Sequence, residues 1–274
     1  MTVPIKQPGA RADERYGDVI FNHSQPDERT RLEALCGVLN PVSFAALEAV
    51  GHEPVTRCLE LAAGTGTVAR WMTDRFPAAH VTATDLDLAL LGDSGHDRLE
   101  FLRHDVTRDP LPDAAFDLIH VRYLLHHLPD REHALARIVR WLAPGGRLVI
   151  MEPALFPLLS ARHEQYGRVS LAALQVLADR LGTDCTDWAL DLPHTAARLD
   201  LTGIEMRTTC PTAAFDTPMG RFWRLTLEQL APEIEKLPTI RPGDTANVVD
   251  LLSRPGLVEL GMATITVTAT RPSN

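Results

Sequence analysis

The sequence predicts an α/β fold in which a parallel sheet is covered by helices on both faces. Between residues 56 and 151, short apolar and β-branched runs alternate with stretches of helical period, the pattern of successive βα units. The first run, Arg57-Cys58-Leu59-Glu60-Leu61, passes into the glycine-bearing turn Ala62-Ala63-Gly64-Thr65-Gly66 and then directly into an amphipathic stretch. Strand, turn and helix N-terminus together make a cradle in which backbone N–H groups can approach a nucleotide-like ligand. Glu60 adds a carboxylate beside that turn, which suits a nucleoside carrying positive charge better than a pyrophosphate.

Bulk properties narrow the class. A chain of 274 residues with 45% hydrophobic content can bury a sizeable core, and one domain with insertions is expected. The net charge of −9, with no Lys/Arg-rich run, argues against a nucleic-acid partner. Cys36, Cys58, Cys185 and Cys210 show no C-x-x-C spacing, so neither a metal site nor a disulfide framework is expected, and a reducing cytoplasm fits. Residues Met1 to Arg15 lack an apolar leader, and no apolar run approaches the roughly 18 residues of a membrane span. The expectation is a cytoplasmic protein without a membrane partner, with a homodimer left open.

Residues 1–15, rich in Pro, Gly and charge, read as a loose arm. A helix is expected from Pro26 to Leu39, with Leu32, Leu35 and Leu39 on its buried face. A second follows with Asn40 as N-cap, Pro41 in the first turn and Gly51 as the stop, making residues 1–54 an arm and helical lid. Strands are expected at Thr56–Leu61, Val81–Thr84, Leu99–Arg103, Phe116–Val121 and Arg147–Met151, with helices at Thr67–Arg75, Asp87–Leu91 and Asp130–Leu142. Pro144-Gly145-Gly146 turns the chain into the fifth strand, and residues 55–153 form the core. Residues 154–190 read as a helical insertion, largely helical from 156 to 181. Residues 191–274 complete the core: a helix at Leu192–Leu201, a strand at Ile204–Cys210, helices from Thr217 toward Lys236 and at Thr245–Leu252 within an insertion spanning 217–254, and a final strand at Met262–Thr270. The last alternates Ala263, Ile265, Val267 and Ala269 with threonines, a clear strand period.

Glu60, Asp85 and Asp105 fall near the carboxyl ends of the first three strands, which in an open parallel sheet face one crevice. Asp85 stands 19 residues after Gly66, a separation at which a carboxylate can accept from ribose hydroxyls, and Asp105 could accept from the exocyclic amine of adenine.

These residues resemble the class I S-adenosylmethionine-dependent methyltransferases, most closely bacterial small-molecule enzymes of natural-product pathways. Glu60-Leu61-Ala62-Ala63-Gly64-Thr65-Gly66 looks like the family's first motif, Thr84-Asp85-Leu86-Asp87 its second and Arg103-His104-Asp105-Val106 its third. Phe116-Asp117-Leu118-Ile119, His126-His127-Leu128 and Leu142-Ala143-Pro144-Gly145-Gly146 continue the match, which is strong from 56 to 153. The resemblance implies a Rossmann-like, doubly wound, seven-stranded, mostly parallel sheet with an antiparallel last strand, and S-adenosyl-L-methionine as cofactor. It further implies Glu60 near the methionine amino group, Ala62 and Gly64 beneath the cofactor, and Gly66 allowing close helix packing. Asp85 would bind the ribose, Leu86 the adenine face, Asp105 its amine and the Val106 N–H a ring nitrogen. Main-chain carbonyls of Val121 and Arg122 would complete the methionine end, and Tyr16 resembles a lid tyrosine. One departure stands out: Ala62 occupies the motif's first glycine position.

Methyl transfer is an in-line displacement in which alignment does most of the work, so a protein base is optional. Where the acceptor is a hydroxyl, His127 is the first candidate base, followed by His126, Glu152 and His163. Phe156, Tyr166, Phe222 and Trp223 are candidate lining residues for a small, hydrophobic acceptor. Alternatives are a cyclase or rearrangement enzyme of the same fold, a cofactor-binding partner subunit, and an NAD-dependent oxidoreductase. The last is disfavoured because Tyr123 and Tyr166 lack the Tyr-x-x-x-Lys spacing of short-chain dehydrogenases.

Overall fold

In a computed structural model, residues 26–51, 54–183 and 188–273 are described. Helix α1 (Pro26–Val50) leads into β1 (Arg57–Leu61), α2 (Thr67–Arg75), β2 (His80–Asp85), β3 (Leu99–Arg103) and β4 (Phe116–Arg122). After a one-turn 3-10 helix at Leu125–His127 come α3 (Arg131–Trp141), β5 (Leu142–Ala154), α4 (Phe156–Leu159), α5 (Glu164–Leu181) and α6 (Trp188–Arg198). The chain closes with β6 (Thr202–Thr209), β7 (Thr212–Ala214), α7 (Pro218–Ile234), α8 (Asp244–Leu252), β8 (Val258–Leu260) and β9 (Ala263–Thr270).

Seven strands form one sheet in the order β3-β2-β1-β4-β5-β9-β6, with β1 to β5 mutually parallel and β9 antiparallel to both β5 and β6. The expected doubly wound sheet with an antiparallel last strand is therefore present. Strand order reverses between β1 and β4, and the carboxyl ends on either side of that reversal open a crevice. Strand side chains alternate between two cores. Leu59, Leu61, Ile119 and Val121 pack with Leu135, Ile138 and Trp141 of α3, while Cys58, Val81, Ala83 and Leu118 pack with Leu47 of α1 and Met72 of α2. A third core, centred on Trp223, joins α5, α7 and α8 into a cap.

Several expectations change. The two N-terminal helices are one, running through Pro41. Proline removes one helical hydrogen bond, but the same helix face continues across it through Leu39, Ser43 and Leu47, all buried. Asn40 does not cap: its Oδ1 accepts from Arg122 Nη1 at 2.9 Å and from Thr67 Oγ1 at 3.2 Å. By length and composition Asp27–Val50 would pass for a membrane span, contrary to the sequence expectation, yet α1 packs along α7, α2 and β5 as a covering helix. The helix expected at Asp87–Leu91 is a turn, because Asp87 Oδ1 takes the Ala89 N–H at 2.9 Å and so competes with helical bonding. Pro144-Gly145-Gly146 does not precede β5 but lies inside it, at a bulge against β4 where the Gly145 N–H donates to Arg271 O at 2.9 Å. The 156–181 segment divides into α4 and α5, and α6 begins at Trp188 rather than Leu192. The small antiparallel sheet of β7 and β8 has no counterpart among the elements expected from sequence.

Candidate active site

The turn after β1 is shaped by three left-handed residues, Ala62 (φ 56), Gly64 (φ 55) and Gly66 (φ 71). Its backbone is pinned to β2: Ala63 N–H donates to Thr84 O at 2.9 Å and Gly64 N–H to Asp85 Oδ2 at 2.8 Å. The other Asp85 oxygen accepts from Asp87 N–H at 3.2 Å. The two glycines play different parts. A Cβ on Gly64 would meet nothing within 4 Å, so its backbone stands open to a ligand, whereas one on Gly66 would press into Leu91 at 2.8 Å. Gly66 therefore serves the packing of α2 and its neighbours.

Ala62 holds a conformation that an L-residue adopts at a cost of about 1–2 kcal/mol. Ala62→Gly is accordingly expected to raise Tm by about 1–3 °C in a thermal melt, although glycine usually lowers stability. A fall in Tm of the size seen for glycine at an ordinary position would show that no strain is released.

A cavity of about 890 Å³ opens above this turn. One end is lined by Ala62, Gly64, Asp85, Leu86, Asp105 and Val106, and the other by Leu32, Leu35, Leu174, Leu177, Phe222 and Trp223. The Asp105 carboxylate is ordered by its own loop, accepting from Thr107 N–H at 2.9 Å and Thr107 Oγ1 at 2.6 Å. Of the anticipated acceptor-lining aromatics, Phe222 and Trp223 reach the wall. Phe156 is 46% exposed and Tyr166 is fully buried with its hydroxyl on Leu260 O at 3.2 Å, so neither lines the cavity.

Three anticipated cofactor residues do not line it either. The Val121 side chain packs against α3, although the anticipated contact was its main-chain carbonyl, Gly66 is buried at the start of α2, and Glu60 is buried. Glu60 Oε1 stands 3.8 Å from His120 Nδ1, its register partner on β4. Burial lowers the His120 pKa, partly opposed by Glu60, so the ring is neutral near pH 7. Arg122 does line the cavity, and the bonds of its guanidinium to Asn40, Ser43 (3.1 Å) and Cys36 (3.5 Å) tie α1 to the sheet. That anchor escapes sequence reasoning because it depends on α1 continuing through Pro41. Tyr16 lies outside the described residues.

His126 and His127 both line the cavity, with ring centroids 3.7 Å apart. Burial and the neighbouring charges keep the His127 pKa well below its ordinary value. His126 Nδ1 lies 2.6 Å from Glu152 Oε2. Glu152, at the end of β5, is wholly buried and also accepts the N–H groups of Leu124 (3.2 Å), Leu125 (2.9 Å) and His126 (3.3 Å). His163 caps α5, accepting from Tyr166 N–H at 3.4 Å, and is absent from the cavity wall.

Comparison with known proteins agrees with this geometry. Residues 59–150 match a family model described as a methyltransferase domain. The demethylmenaquinone methyltransferase of Thermus thermophilus is 38% identical over 102 residues, covering 35% of this chain and 46% of that protein. The chain spans about half the length of the curated relatives it matches. Among solved structures, phosphoethanolamine N-methyltransferase 2 of Haemonchus contortus, in complex with S-adenosylhomocysteine, superposes with a TM-score of 0.57 at 16% identity, covering 89% of this chain and 57% of that one. The [4+2]-cyclase SpnF superposes at 0.52 with 18% identity, covering 86% and 82%. Both likenesses are in fold.

Proposed function

We propose that this chain, which carries a class I methyltransferase domain over residues 59–150, binds S-adenosyl-L-methionine and methylates a small hydrophobic molecule. The observation that carries this reading is the cavity itself, which joins the glycine turn and the Asp85 and Asp105 strand ends to an apolar lobe under α1, α5 and α7. The donor set fits the cofactor. Gly64 offers open backbone, and the Asp85 carboxylate, at the end of β2, is oriented by the Gly64 and Asp87 N–H groups on the cavity wall. Leu86 supplies an apolar surface for the adenine, with Asp105 and the Val106 N–H at its edge. When bound, the cofactor supplies a methyl group activated by a sulfonium.

The rest is done by the chain. Leu32, Leu35, Leu174, Leu177 and Phe222 exclude water and confine the acceptor, leaving displacement in line as the favoured geometry. Their apolar character and the quinone-directed names of the sequence relatives support a hydrophobic, ring-bearing acceptor.

Thermal stabilisation by S-adenosylhomocysteine, with none from NAD, is the first test; at 100 times Kd the expected gain is about 2.7 kcal/mol. Stabilisation by NAD alone would sink the proposal. Mass analysis of products then separates methyl transfer, which adds one CH2 to the acceptor, from cyclisation, which adds nothing.

A further inference from the structure

We infer that the outer edge of β6 pairs with the same strand of a second copy of this chain, joining two seven-stranded sheets across a two-fold axis at Met206. The inference goes beyond the methyl-transfer reading and does not depend on it.

Among the described residues β6 has one strand neighbour, β9, and stands at the end of the sheet. Its other edge carries backbone N–H and C=O groups with no strand to meet them, which makes it a template for another chain. At the opposite end of the sheet β3 offers five residues, whereas β6 offers eight. Glu205, Met206, Arg207 and Thr208 are all exposed, so both faces of the strand are open there, and α6, which packs against it, leaves that stretch uncovered. The usual protections of an edge are weak. Residues 202–209 contain neither lysine nor proline, and the irregularity against β9 is confined to the Thr202–Glu205 end.

Side chains select the partner. Alternation puts Glu205 and Arg207 on one face of β6 and Ile204, Met206 and Thr208 on the other. An antiparallel pair related by a two-fold axis normal to the sheet sets one residue opposite its own copy, and every other residue opposite the one equally far on the other side. With Glu205 or Arg207 on the axis, like charges meet. With Ile204 or Thr208 there, both charges face neutral residues. With Met206 there, Glu205 of each copy meets Arg207 of the other, and opposite charges across a strand pair stabilise a sheet where like charges weaken it. Arg207 and Glu205 are 74% and 67% exposed, with 3.5 Å between Nη2 and Oε2, so neither is held in a core and both can reach across.

On the other face Met206, 49% exposed in the single chain, is covered by its own copy and flanked by Ile204 opposite Thr208. The chain also bounds this ladder. Gly203, in the bulge, falls opposite Thr209, and Pro211 lies just beyond as a residue without an N–H. An interface of this size makes the association reversible and dependent on concentration.

Sedimentation equilibrium of the full chain between about 1 and 100 µM reads it, and the wild type should pass from monomer toward dimer across that range. Arg207→Glu sets carboxylates opposite each other on both sides of the axis and should raise the dimer Kd by about tenfold or more. Combining it with Glu205→Arg exchanges the signs and should restore the Kd to within about threefold of the wild type. A wild type that stays monomeric throughout, a dimer indifferent to Arg207→Glu, or a double variant as weak as the single one would each overturn the inference. Cross-linking then reads the register. Met206→Cys puts two thiols at the axis, where opposed Cα atoms about 4.5–5.5 Å apart are within disulfide reach, and copper–phenanthroline should oxidise them to a covalent dimer. Thr208→Cys lies about 13 Å from its own copy along the paired strands and should stay monomeric on a non-reducing gel, as should the wild type with its free Cys36, Cys58 and Cys210. Cross-linking of Thr208→Cys as readily as Met206→Cys would also overturn it.

Discussion

Replacing Asp85 by alanine is expected to weaken S-adenosylhomocysteine binding by at least about 100-fold, because each hydrogen bond to a carboxylate contributes about 1.5–3 kcal/mol and 1.4 kcal/mol is tenfold. Two losses combine. The ribose hydroxyls lose their acceptor, and the Gly64 N–H loses the 2.8 Å bond that holds the turn in place beneath the cofactor. Asp85→Asn separates them. With its amide NH2 opposite the Gly64 N–H, two donors face each other; turned over, the oxygen restores the turn but presents a donor toward Asp87 N–H and the ribose. Either way the loss should be smaller than for alanine, and isothermal titration reads it directly. A Kd unchanged in Asp85→Ala would remove the ribose role and most of the case for the cofactor.

The residues that carry this prediction are legible in sequence for a local reason. Asp85 ends a short apolar strand at a fixed distance from the glycine turn, and both features are written within one βα unit. What could not be read depends on contacts between distant segments. His120 meets Glu60 because β1 and β4 are register partners across the strand reversal, which no single-strand pattern specifies. Arg122 reaches Asn40 and Ser43 only because α1 runs on through Pro41, where proline and a good capping residue argue locally for a break. Glu152 and His126 are each visible as candidates, but their pairing depends on β5 ending beside the turn after β4. The β7–β8 sheet joins two three-residue strands, too short for any period to register.

Those two short strands also locate the position where the smallest substitution should do the most damage to the cap. Gly220, in the first turn of α7, packs directly on β7: a Cβ there would lie 2.7 Å from the Ala214 carbonyl carbon and closer still to its oxygen. Both are backbone atoms, so nothing can swing aside. That carbonyl also anchors the start of α7, accepting from Thr217 N–H at 3.1 Å and Thr217 Oγ1 at 2.9 Å, while the Thr217 hydroxyl caps Gly220 N–H at 3.1 Å. Gly220→Ala must therefore displace β7 and give up the cap together. Overpacking of about 1–3 kcal/mol and a lost N-cap of about 1 kcal/mol lead to an expected fall in Tm of about 4–16 °C. Gly261→Ala is the control, since its nearest obstacle is the flexible Met219 side chain at 2.5 Å, and it should cost markedly less. Phe222 and Trp223 follow Gly220 on α7 and line the acceptor lobe, whereas the turn at 62–66 belongs to a separate core. Below its melting temperature the variant should therefore still bind S-adenosylhomocysteine while acceptor turnover falls. Equal Tm values for the two glycine variants would show that β7 is free to move away from α7, and that the cap does not depend on that contact.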